Sequence, residues 1–114
     1  MGAAGCPIDR AVDVLDGKWT LPLLRELLDG TRRFGELRQQ LTGISPKTLT
    51  ERLRAMEQNG ILDRAVFAEV PLRVEYTLTP LGESLRPVID ALRVWGESPA
   101  ALDIAARGAS PVSS

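Results

Sequence analysis

The sequence predicts a mainly α domain with a small β-hairpin, an α+β arrangement. Two patterns carry that prediction. Apolar residues recur at helical spacing in five separate stretches, three of them opened by a proline at the first helical position. One stretch, residues 65–78, instead shows β-type runs on either side of a Pro-containing loop. The size agrees, since 114 residues with 44% hydrophobic and 25% charged content suit a single compact domain.

Pro7 suits the start of a first helix, and Ile8, Ala11, Val12 and Leu15 repeat at helical spacing until Gly17. From Trp19 to Leu28, the residues Leu21, Leu23, Leu24, Leu27 and Leu28 make a face broad enough to be mostly buried, and Asp29-Gly30 ends it. Phe34, Leu37 and Leu41 mark a third helix of about two turns before Thr42-Gly43. Ser45 as N-cap and Pro46 at the first helical position open a fourth, continued by Leu49, Leu53 and Met56 to Asn59-Gly60. Ala65 to Ala68, and then Val74, Tyr76 and Leu78, read as the strands of a hairpin with its loop around Pro71. Thr79-Pro80 starts a long helix through Leu81, Leu85, Val88, Ile89, Leu92 and Trp95, which Pro87 should bend. The chain thus divides into a flexible N-terminus (1–5), one domain (6–98) and an Ala/Ser-rich tail (99–114) that shows little periodicity and is expected to be mobile.

Composition removes several classes of chemistry. With no His and one Cys, the chain cannot build a Ser-His-Asp or Cys-His site, a His-based metal cluster, a zinc finger or an intramolecular disulfide. No catalytic residue, metal ligand or cofactor is expected, and the chain does not read as an enzyme. No apolar run approaches the roughly 18 residues needed to span a bilayer, and the first residues lack the basic and apolar regions of a secretory signal. A cytoplasmic protein with a reduced thiol is expected.

Three helices, a tight turn, a fourth helix, a hairpin and a last helix make the order of a winged helix-turn-helix. In that fold the second helix of the turn motif enters the DNA major groove. Charge follows the same division. Residues 1–30 hold three basic and five acidic side chains, residues 31–54 six and two, and the remainder five and eight. At about 100° per residue, Lys47, Glu51, Arg54 and Gln58 lie opposite the apolar side of the fourth helix, with Thr48 and Thr50 on its flanks. Ser45, Lys47, Thr48 and Glu51 are expected to reach bases, and Thr50, Arg52 and Arg54 to position the backbone. Arg33 belongs to the same basic island, and Arg64 and Arg73 bracket the hairpin. The plainer reading is an ordinary surface helix with a polar outer face. The alternative function is a winged-helix protein-interaction module without specific DNA binding.

Cys6-Pro7, Gly17-Lys18-Trp19, Arg33-Phe34, Glu36-Leu37, Gly43-Ile44-Ser45, Leu53-Arg54, Val74-Glu75-Tyr76, Leu78-Thr79 and Gly82 stand in one order and spacing. That set resembles the HxlR-type transcriptional regulators, related to the MarR winged-helix group, over about residues 6–98. The resemblance implies a homodimeric bacterial regulator of a palindromic operator in double-stranded DNA, dimerised through its first and last helices. Ile8, Val12, Leu85, Val88, Ile89, Leu92 and Trp95 supply the apolar surface for that contact. The chain departs from many relatives at Val66-Phe67 and Leu72, so Arg73 is the wing residue expected to touch the DNA backbone.

Cys6, at the cap position before Pro7, is the candidate sensor of an oxidant, electrophile or other small-molecule effector, as the resemblance implies. The helix terminus favours its thiolate and Asp9 opposes that effect. With one thiol, oxidation leads to an intersubunit disulfide or a mixed adduct. Trp19, Trp95 and Tyr76 read as core aromatics rather than ligand cages and are assigned structural roles.

Overall fold

The computed structural model describes residues 5–108. Its elements run α1 (Pro7–Leu15), α2 (Thr20–Leu28), β1 (Arg32–Arg33), α3 (Phe34–Gln40), α4 (Pro46–Gln58), β2 (Leu62–Phe67), β3 (Arg73–Leu78), α5 (Pro80–Glu83), α6 (Arg86–Gly96) and α7 (Pro99–Ala106). Helices α2, α3 and α4 enclose the core with one face of an antiparallel sheet in the order β1-β3-β2. This is a winged helix-turn-helix, and β2–β3 is its wing.

Helical periodicity decides what is buried. Leu23, Leu24 and Leu27 of α2, Leu37 of α3 and Leu49 and Leu53 of α4 meet Leu62 of β2, all almost wholly out of water. Each such side chain contributes about 1.5–3 kcal/mol of burial. In the sheet, Leu62 pairs with Leu78 and Phe67 with Arg73, while Arg32 and Arg33 lie opposite Tyr76 and Glu75. The alternation in β3 sends Tyr76 and Leu78 into the core.

Local chemistry sets the helix starts. The Ser45 hydroxyl accepts the Thr48 N–H at 3.1 Å, ahead of Pro46 in the first turn of α4. Thr79 caps α5 by accepting from the Gly82 N–H at 3.1 Å, and its own hydroxyl donates to the Gly60 carbonyl at 2.5 Å. Gly82 has no substitute there, because an added Cβ would lie 2.2 Å from the Ile61 carbonyl oxygen. Between α1 and α2 the chain turns through Gly17 (φ 99°) and Trp19 (φ 80°). The left-handed conformation costs a bulky residue about 1–2 kcal/mol. Packing of Trp19 against the core and the Thr20 hydroxyl, which donates to the Asp16 carbonyl at 2.8 Å, hold it in place.

Four expectations are corrected. The long C-terminal helix is broken, not bent: the Pro87 ring excludes a helical carbonyl at Glu83, so α5 stops there and α6 starts with Pro87 in its first turn. The first part of the tail, for which the sequence predicts no helix, forms α7, since Ser98 accepts from the Ala101 N–H at 3.2 Å, Pro99 begins the turn and alanine continues it. β2 begins at Leu62 and ends before Ala68, and two-residue β1 had no alternation by which to be seen. Trp95 is 59% exposed and no core aromatic, whereas Tyr76 is buried and Trp19 is half-buried against the core. Residues 1–4 and 109–114 of the expected termini lie outside the described residues.

Helices α1, α6 and α7 have no buried residue. Ile8, Val12, Leu92, Val94, Trp95 and Leu102 stand exposed along them, while Leu85 and Ile89 reach the core. No helix among the described residues is long and apolar enough to cross a membrane.

Candidate nucleic-acid interface

Helix α4 is held from beneath by Leu49, Leu53 and Met56, which orients its other face rigidly outward. Lys47, Glu51, Arg54 and Gln58 are exposed there, and Thr48 and Thr50 are half-buried at its edges. Ser45 is exposed at the helix start, with its oxygen engaged by Thr48 through the backbone N–H and through a 3.0 Å contact to Oγ1. A capping role therefore occupies part of its capacity for a base.

Three shallow grooves run across this side of the molecule. One of about 510 Å³ lies between α3 and the start of α4, lined by Arg38, Gln39, Gly43, Ser45 and Pro46 among others. A second, about 390 Å³, separates the later part of α4 from the sheet and is edged by Thr50, Arg54, Glu57, Arg64 and Tyr76. The third, about 540 Å³, lies between α3 and the wing, beside Arg33, Glu36, Gln39, Leu72 and Arg73. Gly35 and Gln39 border the first and third, and Phe34 the second and third, so the grooves form one continuous face.

The cations on this face differ in what they already hold. Among the described residues, Arg38, Lys47, Arg54 and Arg64 make no ion pair. Arg33 makes none either, and its backbone N–H donates to Glu36 Oε1 at 2.7 Å, securing the start of α3. Arg73 is committed instead. Its Nη2 donates to Glu69 Oε2 at 2.7 Å, its Nη1 donates to Glu75 Oε2, and its guanidinium lies 3.8 Å from the Phe67 ring centroid. The hydrogen bond from Arg73 holds the Glu69 carboxyl below its ordinary value, and both carboxylates push the guanidinium pKa up.

Arg52 stands apart from the outer face. It sits at the margin of the buried side of α4, and its guanidinium lies within 3.1 Å of where a Gly17 side chain would begin, against the α1–α2 turn. Arg38 is the residue missed by sequence reasoning. Its signal was a basic residue inside the 31–54 island on the polar side of α3, counted as charge but not as a site.

Cys6 is half-buried at the cap position of α1, where its carbonyl accepts the Arg10 N–H at 3.0 Å and its side chain makes no capping bond. The residues expected at a dimer contact divide accordingly: Ile8, Val12, Leu92 and Trp95 are exposed, Leu85, Val88 and Ile89 half-buried.

With the face assembled, resemblance to known proteins is decisive. The HxlR-like helix-turn-helix family profile matches residues 14–102. The chain belongs to that family. Its members are transcriptional regulators and not enzymes. An HTH-type transcriptional regulator of Synechocystis sp., sll1512, itself uncharacterized, is 50% identical over 91 residues, covering 80% of this chain and 67% of its own. Among solved structures, the redox regulator HypR in its reduced form superposes with a TM-score of 0.79 at 38% identity, covering 85% of this chain and 96% of its own. A MarR-family-labelled structure from Porphyromonas gingivalis W83 gives a TM-score of 0.80 at 35% identity, over 87% of this chain and 97% of its own. The family match of this HxlR-like chain starts within α1, after Cys6, and runs into α7.

Proposed function

We propose that this HxlR-family regulator binds a palindromic operator as a homodimer, each protomer laying α4 in the major groove. The observation that carries the reading is the set of cations Arg38, Lys47, Arg54 and Arg64, which make no ion pair among the described residues, around a helix whose opposite side is locked into the core. Lys47, Thr48 and Glu51 stand near the N-terminal end of α4, where base edges are read, with Ser45 dividing its oxygen between cap and base. Arg54, Thr50, Arg33 and Arg38 are suited to phosphates on either side. Helices α1 and α6 supply the apolar surface for a second copy, whose two-fold axis imposes symmetry on the operator.

Cys6 adds redox control to this reading, supported by the likeness to the redox regulator HypR. Two Cys6 thiols from two protomers lose two electrons and two protons to an oxidant such as diamide, which becomes the hydrazine, and a disulfide forms between them. One experiment tests the whole: footprinting and titration of the DNA flanking the gene, before and after diamide, with the native chain and Cys6→Ser. A symmetric protected site and a diamide-sensitive affinity that Cys6→Ser abolishes are expected. No protected site at low salt overturns operator binding; equal response of both chains overturns the role of Cys6.

A further inference from the structure

The wing ends where Phe67 of β2 faces Arg73 of β3, the last pair before the loop. Arg73 makes contacts in three directions around that loop. Its Nε and Nη2 hold Glu69 Oε2 at 3.2 and 2.7 Å, its Nη1 holds Glu75, and its guanidinium stacks over Phe67. One side chain thus joins the end of β2, the loop and β3, and Glu75 is in turn paired with Arg33 of β1 in the sheet. The Arg73 side chain as a whole is only 23% exposed. Glu69 and Glu75 balance Arg73 and Arg33, whose charge also acts on Glu69, so the cluster is neutral and Arg73 has no uncompensated charge to offer a phosphate. Beyond it the loop presents an apolar tip: Val70 is fully exposed and Leu72 is 63% exposed, on either side of Pro71.

We infer that Arg73 is a positioning residue. It fixes the loop so that Val70, Pro71 and Leu72 meet the duplex by apolar contact, and it neutralises no phosphate itself. The inference rests on the DNA-binding reading and concerns how the wing takes part in it. Charge and shape make opposite demands on a lysine at this position. A lysine keeps the charge a phosphate needs but loses the planar fork that spans two carboxylates and the ring.

The test compares the native chain with Arg73→Gln, Arg73→Lys and Leu72→Ser. Affinity for a labelled duplex taken from the DNA flanking the gene is measured across a range of salt, and amide exchange of the free proteins is followed at one pH. Both Arg73 variants are expected to lose affinity by a similar factor at every salt concentration, leaving the slope of log K against log salt in place. Their 67–75 amides should exchange at least about tenfold faster. Leu72→Ser should lower affinity with slope and exchange unaltered. The inference is overturned if Arg73→Gln reduces the slope by about 0.9 and Arg73→Lys restores it, the mark of a phosphate contact. Unchanged exchange in both Arg73 variants overturns it equally. Failure of the native chain to bind the duplex at low salt instead removes the DNA-binding reading, while the exchange data still decide whether Arg73 holds the loop.

Discussion

The outer face of α4 and the tip of the wing both carry arginine toward the same side of the molecule, yet α4 offers its charge unpaired while Arg73 at the tip is already held by two carboxylates. On α4 the side chains radiate at helical steps, and Lys47 and Arg54 stay clear of Glu51 and Glu57 among the described residues. On the hairpin, residues two apart share a face, so Glu75 lies beside Arg73, and the loop folds Glu69 back onto it. A count of basic residues therefore overstates what the wing contributes and says nothing of where the charge is spent. Available charge is a property of each residue's partners.

The comparison breaks most completely when α4 loses its foundation. Leu49 has no exposed surface, so Leu49→Ala should cost about 2–5 kcal/mol in chemical denaturation. A loss under 1 kcal/mol would mean that the core does not hold the recognition face. At intermediate size, Arg38→Ala and Arg54→Ala should each flatten the salt dependence of DNA binding by about 0.9, whereas Arg52→Ala should leave the slope unchanged. An Arg52 effect equal to that of Arg54 would contradict its placement beside Gly17.

The smallest effect belongs to the wing. The folded Glu69 carboxyl titrates below its ordinary 4.5, with Arg73, Glu75 and Arg33 as the charged groups around it. Its attraction for Arg73 is therefore complete above about pH 4.5 and is lost as pH falls through the lowered value. A carbon-detected NMR titration should find the Glu69 midpoint below 4.5 and moved back toward it in Arg73→Gln. Equal midpoints in the two proteins would dissolve the distinction between the wing and α4.

Much of the fold was legible because its causes are local. Ser45-Pro46 and Thr79-Pro80 mark helix starts by their own chemistry, and the spacing of Leu49, Leu53 and Met56 already separates the inner from the outer face of α4. The missed features depend on partners. β1 exists only because Arg32 and Arg33 find Tyr76 and Glu75 more than forty residues later. Arg52 lies 70° or so from the centre of the buried side of its helix, a position from which either solvent or a neighbouring turn is in reach. The α7 segment was misjudged for a different reason: alanine carries little amphipathic signal, although it favours the helix.

By itself, the sequence determined the helices of the turn motif, the core leucines and the outward direction of Lys47 and Arg54, since caps and a 3.6-residue period act over one or two turns. Only the tertiary structure decided which cations remain free. Arg73 meets Glu69 and Glu75 through the register and loop of a hairpin, and Arg52 turns to Gly17 through the packing of α4 on α1–α2. Whether a charge is available to DNA depends on what the fold brings within a few ångströms of it, which no residue's own identity specifies.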